Sequence, residues 1–453
     1  MRTPFGNDCS QWAPKRYDNR MKRSIPSQKH ARMPERPTQS NGRAANGRVE
    51  FPLADADLCV KCALCLPHCP TYRLFQDESE SPRGRIALMQ GLATEQLDPS
   101  AKLARHLDQC LGCRNCEPVC PAKVPYGRLI DHGRALLAAQ RPRPRIERLA
   151  AWLFARPAWL RRLVTLLRWS ERLGLRTLTR MAVLPLMPAL KRLERRLPAT
   201  RKAPPSRPAR SGQGKPVQLF LGCIAEQIDP DVSSAIIRLL QATGHEVQIP
   251  VDQGCCGALA QHGGDLSGAA RLSTRNVNAF TGEAPVLTSA TGCAATLMEY
   301  PELDDGAAHV NFAGRVRDVS QYLSRLDRIH SLDWKAQHAR ILVHQPCSHR
   351  NVVGGTDDVR ALLSAIPGLE LTTLDGKGQC CGAAGAYLLT QPDIADRLGR
   401  SLADQVCLHR PDVVITSNIG CKLQLRAQLA ERLPHCEVLH PVELLARSLP
   451  DKA

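Results

Sequence analysis

Two cysteine runs in the first third of the chain share one regular spacing. Each follows the pattern C-x2-C-x2-C-x3-C-P, from Cys59 to Pro70 and again from Cys110 to Pro121. In this pattern three closely spaced thiolates bind one [4Fe–4S] cluster, and the fourth cysteine, stiffened by the proline, reaches the other cluster. The spacing therefore predicts two clusters with exchanged fourth ligands. These are Cys59, Cys62, Cys65 and Cys120 for the first cluster, and Cys110, Cys113, Cys116 and Cys69 for the second.

Zinc is the alternative ligand for the same thiolates, because it also prefers soft sulfur donors. Zinc sites usually combine C-x2-C pairs that a longer loop separates. Two complete four-cysteine runs, each ending in proline, instead favour iron–sulfur clusters.

A second group of cysteines lies in an internal repeat. Each copy contains a predicted buried strand that ends at a cysteine, a Cys-Cys-Gly turn and another strand that ends at a cysteine. Strands that alternate with helices predict a parallel sheet, whose carboxyl ends meet at one edge. Four thiols per copy would converge there, and matched sets in two copies favour metal or cluster binding over unrelated core thiols. The sets are Cys223, Cys255, Cys256 and Cys293 in the first copy, and Cys347, Cys380, Cys381 and Cys421 in the second.

The pattern along the chain predicts an α+β multidomain protein. A helical ferredoxin-type domain with two [4Fe–4S] clusters would come first, followed by duplicated α/β lobes that each contain a parallel sheet. The predicted divisions are a disordered tail at 1–50, the ferredoxin domain at 51–140, a basic amphipathic connector at 141–215, and the two Cys-Cys-Gly repeats at 216–335 and 336–453.

Helices must deliver the ferredoxin cysteines, and the link between the two runs contains a helix start. Pro82 suits the first turn, and Ile86, Met89 and Leu92 then fall on one side. Arg83 and Arg85 have two interpretations. They are either solvated charges at the helix start or cations that stabilise the reduced, more negative form of a cluster.

The net charge of +18 is concentrated outside the predicted globular parts. The tail carries 11 Lys and Arg against 4 Asp and Glu, and the connector at 141–215 carries 20 against 3. The rest of the chain is therefore mildly acidic, which argues against a nucleic-acid-binding core. The basic segments instead indicate a surface that meets an anionic partner.

The connector has the features of an amphipathic helix. Apolar residues such as Leu160 and Val164 recur at helical spacing, and three of the chain's five tryptophans are Trp152, Trp159 and Trp169. A basic helix of this kind suits an anionic membrane surface, but it would equally suit an arm packed on partner subunits. No apolar run is long enough for a transmembrane helix, and no secretory signal is visible. We therefore expect a cytoplasmic protein with peripheral membrane contact as one option.

The cysteine runs, the Ser-Pro-Arg-Gly-Arg-Ile link and the Cys-Cys-Gly repeats together resemble the iron–sulfur subunit of glycolate oxidase, also called glycolate dehydrogenase. Cys-Cys-Gly domains also occur in lactate-utilisation proteins, anaerobic glycerol-3-phosphate dehydrogenase and heterodisulfide reductase. In heterodisulfide reductases the last cysteine belongs to a Cys-x-x-Cys pair that helps to hold a noncubane cluster. Here Thr296 and Gln424 replace that fifth thiol, so the sequence supports four-thiolate sites.

The resemblance implies an electron-transfer subunit in a hetero-oligomer. Its partners would bind FAD and oxidise glycolate to glyoxylate, and this chain would pass electrons toward a membrane acceptor. No catalytic residue is predicted here, because the chain has no dinucleotide fingerprint after a strand. The alternatives are the equivalent subunit of a lactate or glycerol-3-phosphate dehydrogenase and, in another class, a structural metal or nucleic-acid-binding protein. We expect no nucleic-acid partner.

Overall fold

The structure is a computed structural model. It describes residues 50–141, 143, 148–149, 152–153, 156–175, 194, 210–375 and 379–450. The predicted disordered tail, apart from its last residue, lies outside the described residues. The same is true of most of the predicted connector beyond residue 175, so both predictions stay predictions.

The first domain is helical, as the sequence predicts. The helix over Pro82–Ala93 begins with a clear signal: the Ser81 side chain accepts a hydrogen bond from the Gly84 backbone N–H at 2.9 Å, and Pro82 occupies the first turn. The predicted apolar side of that helix is buried against the following helices. The helices are α1 Leu53–Asp57, α2 Pro70–Phe75, α3 Pro82–Ala93, α4 Ala101–Asp108 and α5 Tyr126–Gln140, with short 3-10 turns at Leu66–His68 and Glu78–Glu80.

Helix α6, Pro157–Arg172, is the described part of the connector. Leu160 and Val164 are buried, and Arg168 Nη2 donates a hydrogen bond to the Gln227 carbonyl at 2.9 Å. One side of α6 therefore packs against the first repeat. Among the described residues, no helix has the length and apolar character needed to cross a bilayer.

The first repeat contains a five-stranded sheet in the order β1-β3-β2-β4-β5. All neighbouring strands are parallel except β1, which pairs antiparallel with β3. The strands are β1 Arg210–Ser211, β2 Lys215–Phe220, β3 His245–Gln248, β4 Val286–Thr288 and β5 Val316–Asp318.

The second repeat contains a four-stranded parallel sheet in the order β7-β6-β8-β9. Apart from β1, this order matches the first repeat, since the first strand of each copy lies between the second and the third. These two parallel sheets after a helical domain confirm the predicted fold class. The strands are β6 Ala339–Val343, β7 Leu369–Thr373, β8 Val413–Ile415 and β9 Glu437–Leu439.

Helices connect the strands in both repeats. In the first they are α7 Cys223–Ile228, α8 Pro230–Ala242, α9 Ala258–Gln261, α10 Leu266–Ala279, α11 Thr291–Met298, α12 Ala307–Arg315, α13 Val319–Ser324 and α14 Asp327–His330, with a 3-10 turn at Tyr300–Glu302. In the second they are α15 Asp358–Leu363, α16 Tyr387–Thr390, α17 Pro392–His409, α18 Ile419–Leu429 and α19 Pro441–Ser448, with a π-helical turn at His349–Val353.

A shared core and a buried ion cluster join the two repeats. One apolar cluster contains residues from both sheets and from the packed helices α8 and α19. Beside it, the buried ammonium of Lys422 contacts the carboxylates of Asp229, from the first repeat, and Glu443. Loss of one partner from such a cluster costs about 3–5 kcal/mol, because it leaves an uncompensated charge in the interior. The cluster therefore fixes the second repeat against the first.

The ferredoxin domain contacts both repeats. His262 Nδ1, in the first repeat, lies 3.0 Å from Asp131 Oδ1 on α5. In the second repeat, the Tyr387 hydroxyl donates to the Gln109 carbonyl at 2.9 Å, and Asn351 Nδ2 donates to the Cys113 carbonyl at 2.6 Å. The loop that carries the second cysteine run is thus held between its own domain and the second repeat.

Candidate metal centres

The first predicted ferredoxin set lies around one cavity. Its empty space is about 450 Å³ including its open mouth. Besides apolar side chains such as Ile86, its lining contains Arg83, Tyr126 and Cys116, the last from the other predicted set. It also contains the four cysteines of the first set, Cys59, Cys62, Cys65 and Cys120. The Cys62 side chain is exposed, whereas the other three are half-buried. The structure therefore brings the four predicted ligands together at a site that opens to the surface.

In each cysteine run, two residues with a left-handed backbone conformation bend the loop. Lys61 and Ala63 have φ values of 55° and 69°, and the equivalent positions of the second run, Gly112 and Arg114, have φ values of 60° and 58°. This left-handed conformation is unfavourable for residues other than glycine, and it persists where the surroundings require it. The same bend in both runs indicates that both loops wrap the same kind of group.

The second predicted set is more enclosed. Cys69, Cys110 and Cys116 are buried. Burial raises the pKa of Cys116 well above its ordinary value, and the neighbouring groups Cys113, Cys110 and Cys69 act in the same direction. Cys69, from the first run, therefore lies with the cysteines of the second run, as an exchanged fourth ligand requires. Besides burial, the charge of Cys69 also raises the pKa of Cys65, a member of the first set, so the two sites are neighbours.

Four thiols per site and an apolar surround fit [4Fe–4S] clusters. Burial raises the pKa of Cys65 to about 11, against hydrogen bonds from the Arg83 and Cys65 backbones that lower it. Without a cluster the Cys65 thiol would hold its proton, so cluster loading must release that proton. The match between residues and group supports the cluster assignment, while the individual ligands stay a prediction.

Several groups around the second set could not be found from cysteine spacing. The buried Tyr126 hydroxyl donates to Cys110 Sγ at 3.6 Å. Thr71 Oγ1 lies 3.3 Å from Cys69 Sγ, and Arg85 Nη1 donates to that same Thr71 oxygen at 3.0 Å. The sequence predicts Arg85, together with Arg83, as a candidate cation near a cluster. For Thr71 and Tyr126 the only sequence signal is a hydroxyl near a cysteine run, which is too common to single them out.

In the first repeat the four predicted cysteines lie beside one another. Cys223, at the start of α7, donates to Cys255 Sγ at 3.6 Å. Hydrogen bonds also join the thiols of Cys255 and Cys256, and those of Cys256 and Cys293. Asn276 holds the Cys-Cys turn, since its side chain accepts from the Gly254 N–H at 2.8 Å and donates to the Cys255 carbonyl at 2.9 Å.

The second repeat repeats this arrangement. Cys381 Sγ and Cys421 Sγ are 2.9 Å apart, and hydrogen bonds join Cys347 to Cys380 and Cys380 to Cys381. Gly382 follows the pair with a φ of 81°, and a Cβ there would lie 2.6 Å from the Ala395 carbonyl oxygen. Only glycine therefore fits the turn.

Among the residues that the structure describes, no group of three or more His, Cys, Asp or Glu side chains is arranged to hold a single metal ion. The assignment of the eight repeat cysteines as metal ligands is untested by this geometry and stays a prediction.

The second ferredoxin site and the second repeat site adjoin. The charge of Cys347 acts on Cys113, whose pKa is raised mainly by burial. Leu111 packs in one apolar cluster with Cys380 and Tyr387. The set of the first repeat has no such contact with ferredoxin cysteines among the described residues.

Comparisons with known proteins agree with this arrangement. Residues 55–124 match the family described as a 4Fe-4S dicluster domain, and residues 217–298 and 341–426 match the family described as a cysteine-rich domain. The first match supports iron–sulfur clusters in the ferredoxin domain.

Three relatives illustrate the similarity of this chain to known proteins. The chain is 34% identical to a probable glycolate oxidase iron-sulfur subunit of Bacillus subtilis, over 81% of this chain and 88% of that protein. It is 31% identical to the glycolate oxidase iron-sulfur subunit of Escherichia coli, over 86% of this chain and 93% of that protein. A lactate utilization protein A of Bacillus velezensis is 26% identical over 51% of this chain and 98% of its own length.

Replacement of Cys69 by serine tests the exchanged ligands. We expect it to perturb the cluster of Cys110, Cys113 and Cys116, and to lower the iron content by up to about four atoms per chain if that cluster is lost. Iron analysis and EPR of the reduced protein measure both effects. The reciprocal variant Cys120→Ser should perturb the other cluster. If Cys69→Ser changes only the cluster of Cys59, Cys62 and Cys65, the assignment is wrong.

Proposed function

The chain belongs to the family of glycolate oxidase iron–sulfur subunits, and on that premise we propose that it is the electron-transfer subunit of a glycolate dehydrogenase complex. Partner subunits would bind FAD and oxidise glycolate to glyoxylate. This chain would carry the electrons onward to an acceptor at the membrane. We assign it no catalytic residue of its own.

The observation that carries this proposal is the order of the two ferredoxin sites from the surface inward. The first site opens to solvent at Cys62, beside the exposed side chains of Val60 and Leu64. The second site is buried and adjoins the second repeat. Two adjacent one-electron centres, one accessible and one enclosed, suit a protein that takes electrons from a partner and moves them through its interior.

A flavin receives the two electrons of an alcohol oxidation as a pair, whereas each [4Fe–4S] cluster supplies one-electron redox chemistry. The residues of this chain hold the clusters at neighbouring positions and limit their contact with water. Buried Ile86 and Val124, which line the first site, and Leu111, beside the second, contribute to that exclusion. The FAD subunit would dock at the open mouth of the first site.

Isolation of the intact complex tests the substrate. We expect this chain to copurify with FAD-containing subunits, and glycolate to reduce its clusters faster than lactate or glycerol 3-phosphate does. Stopped-flow absorbance of the clusters under anaerobic conditions measures this. Because lactate utilization protein A is also related to this chain, lactate is the sharpest competitor. Faster reduction by lactate would favour a lactate dehydrogenase complex instead.

We further propose that the Cys-Cys-Gly sites hold a metal or an additional cluster. In each repeat four thiols lie in contact beyond the ends of parallel strands, and four thiols without a metal would be exposed to oxidation. In the second repeat the site adjoins the second ferredoxin site. A cluster there would extend the electron path, whereas zinc there would be structural.

Metal analysis of the full-length chain, purified without oxygen, separates these cases. Iron beyond that of two clusters is expected if the repeats bind clusters, and Cys381→Ser should remove part of it without changing the ferredoxin signals. Cys436→Ser is the matched control, because Cys436 lies in the same repeat but in neither set. If neither iron beyond the two clusters nor zinc is found, the repeats are a scaffold alone.

The described helix of the connector supports peripheral contact with the inner face of the cytoplasmic membrane. Helix α6 buries one side on the first repeat and exposes Trp159, Leu166 and Trp169. Arg161 and Arg162 flank these apolar groups, and the latter stacks over the Trp159 ring. Exposed tryptophan beside arginine suits the interface of an anionic bilayer. An arm that packs on a partner subunit is the alternative.

Co-sedimentation with lipid vesicles tests the membrane contact. We expect binding to anionic vesicles to exceed binding to neutral ones and to fall as salt rises, because salt screens exposed charges. The double variant Trp159→Ala/Trp169→Ala should weaken it, whereas Leu408→Ala, which alters an exposed apolar residue of the second repeat, should not. Equal sedimentation with neutral and anionic vesicles would contradict the membrane contact and favour the alternative, an arm that packs on a partner subunit.

A further inference from the structure

The two arginines of the link between the cysteine runs lie in different surroundings. Arg83 is at the surface, where its guanidinium pairs with Glu78 at 2.6 Å. Arg85 is completely buried. A solvated ion pair contributes little to the field at a distance, because water screens it, whereas a buried charge acts strongly on its neighbours. The two residues therefore cannot have the same effect on a nearby cluster.

A single oxygen atom separates Arg85 from the sulfur of Cys69, a predicted ligand of the second cluster. Its Nη1 donates to the Glu80 carbonyl at 2.6 Å and to Thr71 Oγ1 at 3.0 Å. These two oxygens are the atoms that touch the Cys69 sulfur, at 3.5 Å and 3.3 Å. The guanidinium therefore lies next to both of the oxygens that the Cys69 sulfur contacts.

The carboxylate of Glu80 balances this cation. It contacts Arg85 Nη2 directly, and its other oxygen lies 2.6 Å from His106 Nδ1. The Nε of Arg85 donates to the His106 carbonyl at 2.7 Å. Arg85 is therefore held at a fixed position beside the site, which a flexible surface cation would not be.

A second donor reaches the same site at another predicted ligand. The Tyr126 hydroxyl donates to Cys110 Sγ at 3.6 Å, and the side chain is buried, so no bulk water competes for this contact. Cys69 and Cys110 belong to one predicted set, so both polar groups act on the second cluster.

We propose that Arg85 and Tyr126 raise the reduction potential of the second cluster relative to the value it would have without them. One-electron reduction adds one negative charge to the cluster and makes or breaks no bond. A buried cation and a hydrogen bond to a ligand sulfur both stabilise that added charge. Arg85 acts on the cluster by its charge, because a ligating thiolate has no proton to donate to the Glu80 carbonyl and the Thr71 hydroxyl donates to that same carbonyl at 2.9 Å. Arg85 is therefore not a ligand.

This proposal rests on the proposed function only for the presence of the two clusters. An EPR-monitored titration of the anaerobic, full-length protein with dithionite gives both potentials, and Cys69→Ser identifies the signal of the second cluster. Iron content and the reduced EPR signal show whether the clusters are present. Their absence would contradict the proposed function, whereas intact clusters with unmoved potentials would contradict this inference alone.

Removal of one charge at a time from this network gives the decisive comparison. Arg85→Gln should shift the potential of the second cluster to a more negative value, and Glu80→Gln, which keeps the cation but removes its counter-charge, should shift it to a more positive one. Tyr126→Phe should also give a more negative value. Arg85→Lys, which keeps the charge, and Arg83→Gln, the matched surface control, should stay near the wild type.

Shifts of the same sign in Arg85→Gln and Glu80→Gln would overturn the proposal, because they would indicate altered packing rather than charge. It would also be overturned if neither variant shifts the potential more than Arg83→Gln does. Should Arg85→Gln fail to fold, Glu80→Gln and Tyr126→Phe decide. Opposite shifts in these two variants support the proposal, and any other result contradicts it.

Discussion

A cluster bound by four thiolates brings negative charge into a protein interior, where charge is costly unless the surroundings compensate it. The second ferredoxin site meets this constraint with groups from two helices. Arg85 comes from α3, Tyr126 begins α5, and Arg134, also on α5, donates to the Cys110 carbonyl at 2.6 Å. Much of the small domain is thus arranged so that buried donors and cations face two of its cysteines.

In the predicted ligand assignment, the exchanged fourth cysteine makes the two sites depend on each other. Cys69 comes from the first run but lies with the second, and the helix that follows it starts at Pro70. Loss of either loop would therefore disturb both clusters. The same loop that holds Cys113 is bonded to Asn351 of the second repeat, so the ferredoxin domain and that repeat also position one another. In this account the repeats are part of the redox region and do more than extend the chain.

Much of this arrangement could be predicted from the sequence, because the signals for it are local. Cysteine spacing is local, so the two runs and the Cys-Cys-Gly turns could be assigned without a structure. Pro82 marks a helix start, and the buried stretches at Val217 and Val413 mark strands. The last strand of each repeat, β5 and β9, was missed because neither a long apolar run nor a following cysteine marks it. Strands β4 and β8 are equally short, but each is wholly apolar or nearly so and precedes a cysteine.

Tertiary packing decides the features that the sequence leaves open. Arg83 and Arg85 are two positions apart and chemically identical, yet α3 exposes the first and buries the second. The sequence also does not indicate which repeat adjoins the second cluster, because both copies contain matching cysteines. It follows from where Leu111 and Tyr387 meet, and no local pattern encodes that contact between distant segments.

The central claim is that two neighbouring [4Fe–4S] clusters form a one-electron path through this chain. The most direct test is EPR of the anaerobically purified, dithionite-reduced protein together with its iron content. The account predicts two reduced [4Fe–4S] centres whose signals broaden each other through magnetic interaction, because the sites share neighbouring cysteines. A single isolated signal, or an EPR-silent protein that contains zinc instead of iron, would contradict it.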